Sequence, residues 1–222
     1  ADAWNNLGIV LAEQERYDEA VAACARAVEL KPESAETHYN LGNALRGRND
    51  LEEAVMRYRR AIELNRDYVQ AHNNLGVVLQ YLGEVGKAID CFRRAAELDQ
   101  LDSGIHMNLA FALLLSGQLM EGWKEYEWRR KTKKYAPRTF PQPEWSGEDL
   151  QGRSILLHSE QGFGDTIQFI RYGPSVKKRG ARRIIVQCQQ PLLRLLTVCS
   201  WIDELADERE TPTPCDLHAP MM

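Results

Sequence analysis

Two sets of residues combine reactive or hydrogen-bonding groups with a telling interval. The first is an asparagine that returns at a fixed spacing: Asn6, Asn40, Asn74 and Asn108. A carboxamide carries both an acceptor oxygen and donor hydrogens. It can therefore meet the C=O and N–H of an extended peptide without reading its side chains. Asparagine is a mediocre helix former, so propensity does not account for its return at all four places. The second set is Glu160-Gln161-Gly162-Phe163-Gly164-Asp165-Thr166, where an apolar run hands over to a helical one. Backbone N–H groups at a helix start can hold a phosphate or a developing anion, which makes Gly162, Gly164 and Thr166 candidate anion-binding residues. Asp165 could accept a proton from a nucleophilic hydroxyl. Competing readings stay open: the amides are solvated or help helices stack, and Asp165 caps a helix. Neither G-x-G-x-x-G nor the P-loop is met, since Ile167 stands where a glycine would and no Gly-Lys-Ser/Thr follows.

The element that positions the asparagines is a repeat. Windows 1–34, 35–68, 69–102 and 103–136 align without gaps. Their seventh residues are Leu7, Leu41, Leu75 and Leu109, and their eighth are Gly8, Gly42, Gly76 and Ala110. Ala20, Ala54, Ala88 and Gly122 share one position, and Ala27, Ala61 and Ala95 another. This period of 34 with small residues at fixed places is the signature of the tetratricopeptide (TPR) repeat, a helix–turn–helix unit that stacks into a solenoid. Within each unit, residues such as Trp4, Leu7, Gly8 and Leu11 form one packing face, and Ala54, Tyr58, Ala61 and Leu64 face them from the second helix. The asparagines point away from that face, toward the inner side of a TPR superhelix. Neighbouring helices pack roughly 8–10 Å apart and an extended chain advances about 3.3 Å per residue. One asparagine per repeat then meets a bound strand every two or three residues.

Asn6-Leu7-Gly8, Asn40-Leu41-Gly42 and Asn74-Leu75-Gly76 resemble the TPR units of the O-GlcNAc transferase and SPINDLY type. In that family an asparagine ladder on the inner surface holds substrate peptides, so the resemblance implies an extended peptide or protein segment as partner. The fourth unit differs. Met107 to Leu115 is apolar nearly all round, which predicts burial on more than one side and a C-terminal part docked there as a cap. The basic run Arg129 to Lys134 reads either as a surface for nucleic acid or anionic lipid or, more simply, as cations suited to a helix C-terminus leading into a linker.

Beyond the repeats, Pro137, Pro141 and Pro143 exclude regular structure, and residues 137–152 read as a proline-rich linker. Short apolar runs then replace the helical period. Strands are expected at 154–158 and 182–188 and shorter ones near 205–206 and 216–218. Helices are expected over 166–178, interrupted at Pro174, and over 191–199, with 162–165 a tight turn. The order strand–helix–strand–helix predicts a parallel, Rossmann-like sheet. The fold class expected is thus an all-α TPR solenoid (residues 1–136) followed by a partial α/β domain (153–222).

Glu144-Trp145-Ser146-Gly147, the run Glu160 to Tyr172, and Asp216-Leu217-His218-Ala219-Pro220 resemble the start of a glycosyltransferase domain that bacteria fuse to TPR arrays. That domain is similar to the two-lobed, heptosyltransferase-like enzymes. The resemblance implies that Asp165, in the pair Gly164-Asp165, is the acceptor-activating base, and that a nucleotide sugar binds a second lobe. This chain has room for only one lobe, so no cofactor, no metal and no turnover are expected of it alone. The absence of an initial Met, with the stop just past an expected strand, reads as a fragment of a longer protein.

Bulk properties narrow the rest. A net charge of −4 argues against a nucleic-acid surface. There is no signal-peptide pattern and no apolar run long enough to span a bilayer. The cysteines Cys24, Cys91, Cys188, Cys199 and Cys215 form no C-x-x-C pair or zinc spacing. They fit a reducing, cytoplasmic setting. An exposed edge strand would invite a homodimer through the C-terminal part.

Overall fold

The computed structural model describes residues 1–132, 138–160, 162–211 and 213–221. They form two compact units, 1–135 and 136–222. The first holds four helical hairpins: α1 (Asp2–Glu13) with α2 (Tyr17–Leu30), α3 (Ala35–Arg48) with α4 (Leu51–Leu64), α5 (Val69–Tyr81) with α6 (Val85–Leu98), and α7 (Ser103–Leu115) with α8 (Leu119–Tyr126). A 3-10 turn, Glu127–Lys131, follows α8. Two of the helices start on side-chain caps: Ser34 accepts from the Thr37 N–H, and Asp102 from the Gly104 and Ile105 N–H groups.

The periodic small residues do what their spacing implies. Ala20, Ala54 and Ala88 are fully buried, as are the rings of Tyr58 and Phe92. A Cβ added at Gly42 would lie 2.8 Å from the Tyr58 ring, and one at Gly76 would lie 2.6 Å from Phe92. Cys24 takes the ring's place in the first repeat, against Gly8. Burial pushes the Cys24 thiol up to about 11, so it is an inert core residue.

Two expectations for the array need correcting. Leu41, Leu75 and Leu109 are 3%, 5% and 4% exposed, but Trp4 and Leu7 are each 44% exposed. This part of the packing face is covered by the preceding hairpin, and the first repeat has none before it in this structure. Of the apolar α7, for which burial on more than one side was expected, Phe111 stays 49% and Leu115 64% exposed. Sequence reading also missed a recurring tie. His38, His72 and His106 place Nε2 at 2.9, 2.9 and 3.2 Å from the carbonyls of Pro32, Arg66 and Gln100. Each of these histidines fastens its first helix to the turn that precedes it. His106 also stacks on Trp128, centroids 3.9 Å apart.

The second unit is a parallel sheet in the order β3-β2-β1-β4. In chain order it runs β1 (Ser154–Ser159), α9 (Phe163–Ile170), α10 (Gly173–Lys178), β2 (Arg183–Cys188), α11 (Gln190–Leu196), β3 (Glu204–Asp207) and β4 (Leu217–Met221). Pro174 sits in the first turn of α10, where its missing N–H costs nothing, so the expected interrupted helix is two helices. Ile155, Leu157, Ile184 and Val186 alternate onto one face and pack with Ile170, Val176, Leu192 and Leu196. The expected linker is partly built into this unit. Glu144 bridges His218 in parallel, Trp145 N–H donates to the His218 carbonyl (2.7 Å) and His218 N–H donates to the Pro143 carbonyl (3.1 Å). This covers part of the outer edge of β4, where an open edge was expected. Pro137 and part of the basic run, Lys133 and Lys134, lie outside the described residues.

Candidate functional site: the inner face of the helical array

The repeated amides are tied to the preceding repeat. Asn40 Nδ2 donates to Asn5 Oδ1 at 3.0 Å, Asn74 Nδ2 to the Tyr39 hydroxyl at 3.1 Å, and Asn108 Nδ2 to Asn73 Oδ1 at 2.9 Å. Each bond joins one residue of a first helix to the residue one place earlier in the preceding repeat. Asn74 Nδ2 also donates to Asn43 Oδ1 (2.9 Å), which accepts from the Tyr58 hydroxyl as well (2.8 Å). The donor side of three carboxamides is thus engaged in helix stacking, leaving Oδ1 as the group that can face a ligand. Asn40 is buried, Asn74 and Asn108 are half-buried, and Asn6 is exposed.

Three hollows lie here, and three of these amides line the first and the third. The first, about 370 Å³, is lined by Ile9 and Glu13 of α1, Tyr39, Asn40, Asn43 and Arg46 of α3, and Asn74 of α5. The second, about 280 Å³, shares Arg46 and adds Val77 and Tyr81. The third, about 290 Å³, shares Val77 and Tyr81 and adds Gln80, Asn108 and Leu115. They therefore adjoin one another along the first helices of all four repeats. Asn6 lines none of the three. Tyr39, Asn43, Arg46 and Tyr81 were not singled out from sequence, because their repeat positions vary in type from unit to unit. Burial raises the Tyr58 phenol and Arg46 opposes this by its charge, so Arg46 lies close to the buried Tyr58–Asn43–Asn74 network.

In the α/β unit, strand order reverses between β1 and β4, and ligands of open α/β sheets bind at the carboxyl ends of such strands. Gly162 ends the loop after β1, and the helix begins at Phe163. Gly164 and Asp165 are therefore in the first turn of α9, and not in the separate tight turn expected from sequence. First-turn N–H groups have no intrahelical partner. A Cβ at Gly164 would meet nothing within 4 Å, so this turn is open. Thr166 needs correction as an anion-binding residue. It is fully buried, its hydroxyl donates to Gln189 Oε1 (3.0 Å), and its N–H already bonds the Gly162 carbonyl (3.2 Å). Gln161 lies outside the described residues.

A buried polar cluster adjoins this edge. His158 Nε2 is 3.2 Å from His218 Nδ1, and Phe140 lies against both rings. Burial pulls His158 down to about 4. Ser159 donates to the Glu208 carboxylate (2.8 Å), and Arg138 donates to Gln187 Oε1 (2.7 Å) and to the Glu208 carbonyl (3.0 Å). These partners come from distant parts of the chain, and nothing in their spacing announces them.

The fold and the inner face define a helical-hairpin repeat array joined to a parallel α/β unit. Residues 1–67 and, overlapping them, residues 39–104 match the tetratricopeptide repeat family, and this part of the chain is a tetratricopeptide-repeat array. Protein FlbA of Caulobacter vibrioides is 39% identical over 66 residues, a match that covers 29% of this chain and 11% of that protein. The crystal structure of YrrB, described as a TPR protein with an unusual peptide-binding site, is similar at 22% identity and a TM-score of 0.53. That match covers 59% of this chain and 67% of YrrB. A variant of the Thermobaculum terrenum O-GlcNAc transferase shares the fold over 95% of this chain and 42% of its own, at 21% identity and a TM-score of 0.56. That likeness spans both units and carries the fold alone. Among the described residues, no helix is long and apolar enough to cross a membrane.

Proposed function

We propose that the array is a protein-interaction module whose inner face takes an extended peptide segment. The observation that carries this reading is the run of three adjoining hollows, linked by Arg46, Val77 and Tyr81. The peptide-binding site described for YrrB supports it. Asn40, Asn74 and Asn108 serve as acceptors through Oδ1 for backbone N–H groups of the segment, and Asn6 offers a free amide at one end. Alanine at Asn40 or Asn74 would also break helix stacking, so the test uses Tyr81, which is 76% exposed. Fluorescence anisotropy with a library of short unstructured peptides is expected to find binders that Tyr81→Glu weakens without loss of helicity. Binding that is indifferent to Tyr81→Glu, or no binder at all, overturns the reading.

A second reading concerns the α/β unit, favoured by the open turn at Gly162–Asp165 and the fold shared with the O-GlcNAc transferase. In it, this unit is the acceptor-side lobe of a nucleotide-sugar-dependent glycosyl transfer. Asp165 takes the proton of the acceptor hydroxyl, and the N–H groups around Gly164 hold an anionic group. The nucleotide sugar is bound outside this chain. Incubation of the chain with sugar nucleotides is expected to give no turnover, and clear turnover would show that the lobe needs no second one.

A further inference from the structure

The side chains that line the inner face say what kind of segment fits. At its first hollow, Tyr39, Asn40, Asn43 and Asn74 lie with the half-buried Arg46, beside Ile9 and Ala12. Elsewhere on the array, Arg16, Arg48, Arg60, Arg93 and Arg94 each have a carboxylate within ion-pair reach, whereas Arg57, Arg59 and Arg66 have none among the described residues. Among the described residues, no carboxylate pairs with Arg46. Glu13, the other charged residue of that hollow, is exposed and makes no pair with it. A half-buried guanidinium with free donors in a recess is a receptor for a carboxylate, which it can engage through two parallel hydrogen bonds. Farther along, exposed apolar side chains join polar ones such as Asn49, Gln80 and Asn108. Val77, Tyr81 and Leu115 line the second and third hollows, and Tyr81 and Leu115 stand 76% and 64% exposed, with Phe111 nearby on α7 at 49%. Exposed apolar side chains gathered in one groove mark an interaction surface.

Resting on the peptide-binding reading above, we propose that this groove selects an extended segment with an acidic side chain followed or preceded by apolar ones. The acid seats on Arg46 and the apolar side chains seat on Val77–Tyr81 and on Leu115. Successive first helices lie about 8–10 Å apart and a strand advances about 3.3 Å per residue. The apolar side chains therefore fall about three and about six residues from the acid. Charge complementarity at Arg46 decides the occupant: a wholly apolar segment would leave that guanidinium desolvated and unpaired.

The test uses labelled peptides built on a Gly/Ser background. One carries Glu with Leu at the stated spacings, one carries Gln for Glu, and one carries Ser for both Leu, each also made with the sequence reversed. Fluorescence anisotropy is expected to show the Glu/Leu peptide, in one of its two directions, binding at least about tenfold tighter than either control. Arg46→Gln should remove the preference for Glu over Gln and leave the Leu preference in place. Arg46→Glu should turn the preference toward a Lys peptide, Glu13→Gln should strengthen the Glu peptide, and added salt should weaken it. Equal loss for the Glu and Gln peptides in Arg46→Gln overturns the assignment while leaving a peptide groove. Absence of binding by these peptides and by an unbiased library overturns the groove as well.

Discussion

Gly76 of the array and Gly173 of the α/β unit play one role, since each leaves out a side chain so that an aromatic ring can lie against the backbone. A Cβ at Gly76 would come 2.6 Å from Phe92, and one at Gly173 would come 2.0 Å from Trp201. In the array the pair is announced twice, by Gly42 with Tyr58 and Gly76 with Phe92, and Gly8 faces Cys24 at the same spacing. In the α/β unit the pair occurs once, and no period links its members. Repetition makes a local packing rule visible, whereas a sheet unit hides equally strict rules in contacts made once.

Variants at matched places put this contrast under test. The largest effect is expected from Phe92→Ala, which empties a fully buried ring site and should cost the array about 3–5 kcal/mol in urea unfolding. An effect below about 1 kcal/mol would mean that the hairpins collapse onto the hole. Next come Gly76→Ala and Gly173→Ala, each expected to cost about 1–3 kcal/mol through overpacking. Similar values would confirm that the periodic and the unique glycine are under equal constraint.

Acid should affect the α/β unit through His158. Its folded value, about 4, lies below the usual 6.5 because burial disfavours the cation. The unfolded chain therefore binds a proton that the folded chain refuses. Stability from this group is complete above about pH 6.5 and falls as the pH drops toward 4. At pH 5 the loss is about 2 kcal/mol. His158→Gln should remove that part of the difference between unfolding curves at pH 7 and pH 5, and an unchanged difference would place the sensitivity elsewhere.

The smallest contrast lies within the asparagine set itself. Asn40→Ala leaves the buried Asn5 amide oxygen without its donor and should cost about 1–2 kcal/mol, while the exposed Asn6→Ala should stay within about 0.5 kcal/mol. Equal effects would mean that the Asn5–Asn40 bond adds nothing to stacking.

The repeat, its hairpins and its glycine–ring packing were legible in the residues alone. Contacts within a hairpin join residues a fixed short distance apart, and four copies average out the noise of any one. Most strands and helices of the α/β unit were legible too, where apolar runs, prolines and glycines punctuate the chain. Which side of each Asn is engaged was not, because the partners at Asn5, Tyr39 and Asn73 vary in type while the backbone spacing holds. Only the assembled fold buried Thr166 against Gln189 and brought His158 to His218. Only there does Arg46 stand without an acid partner beside the apolar side chains Val77 and Tyr81. One cause underlies all of these. Hydrogen bonds and ion pairs are short-ranged and directional, so their presence depends on where separate elements end up, and a residue's type fixes only what it could offer.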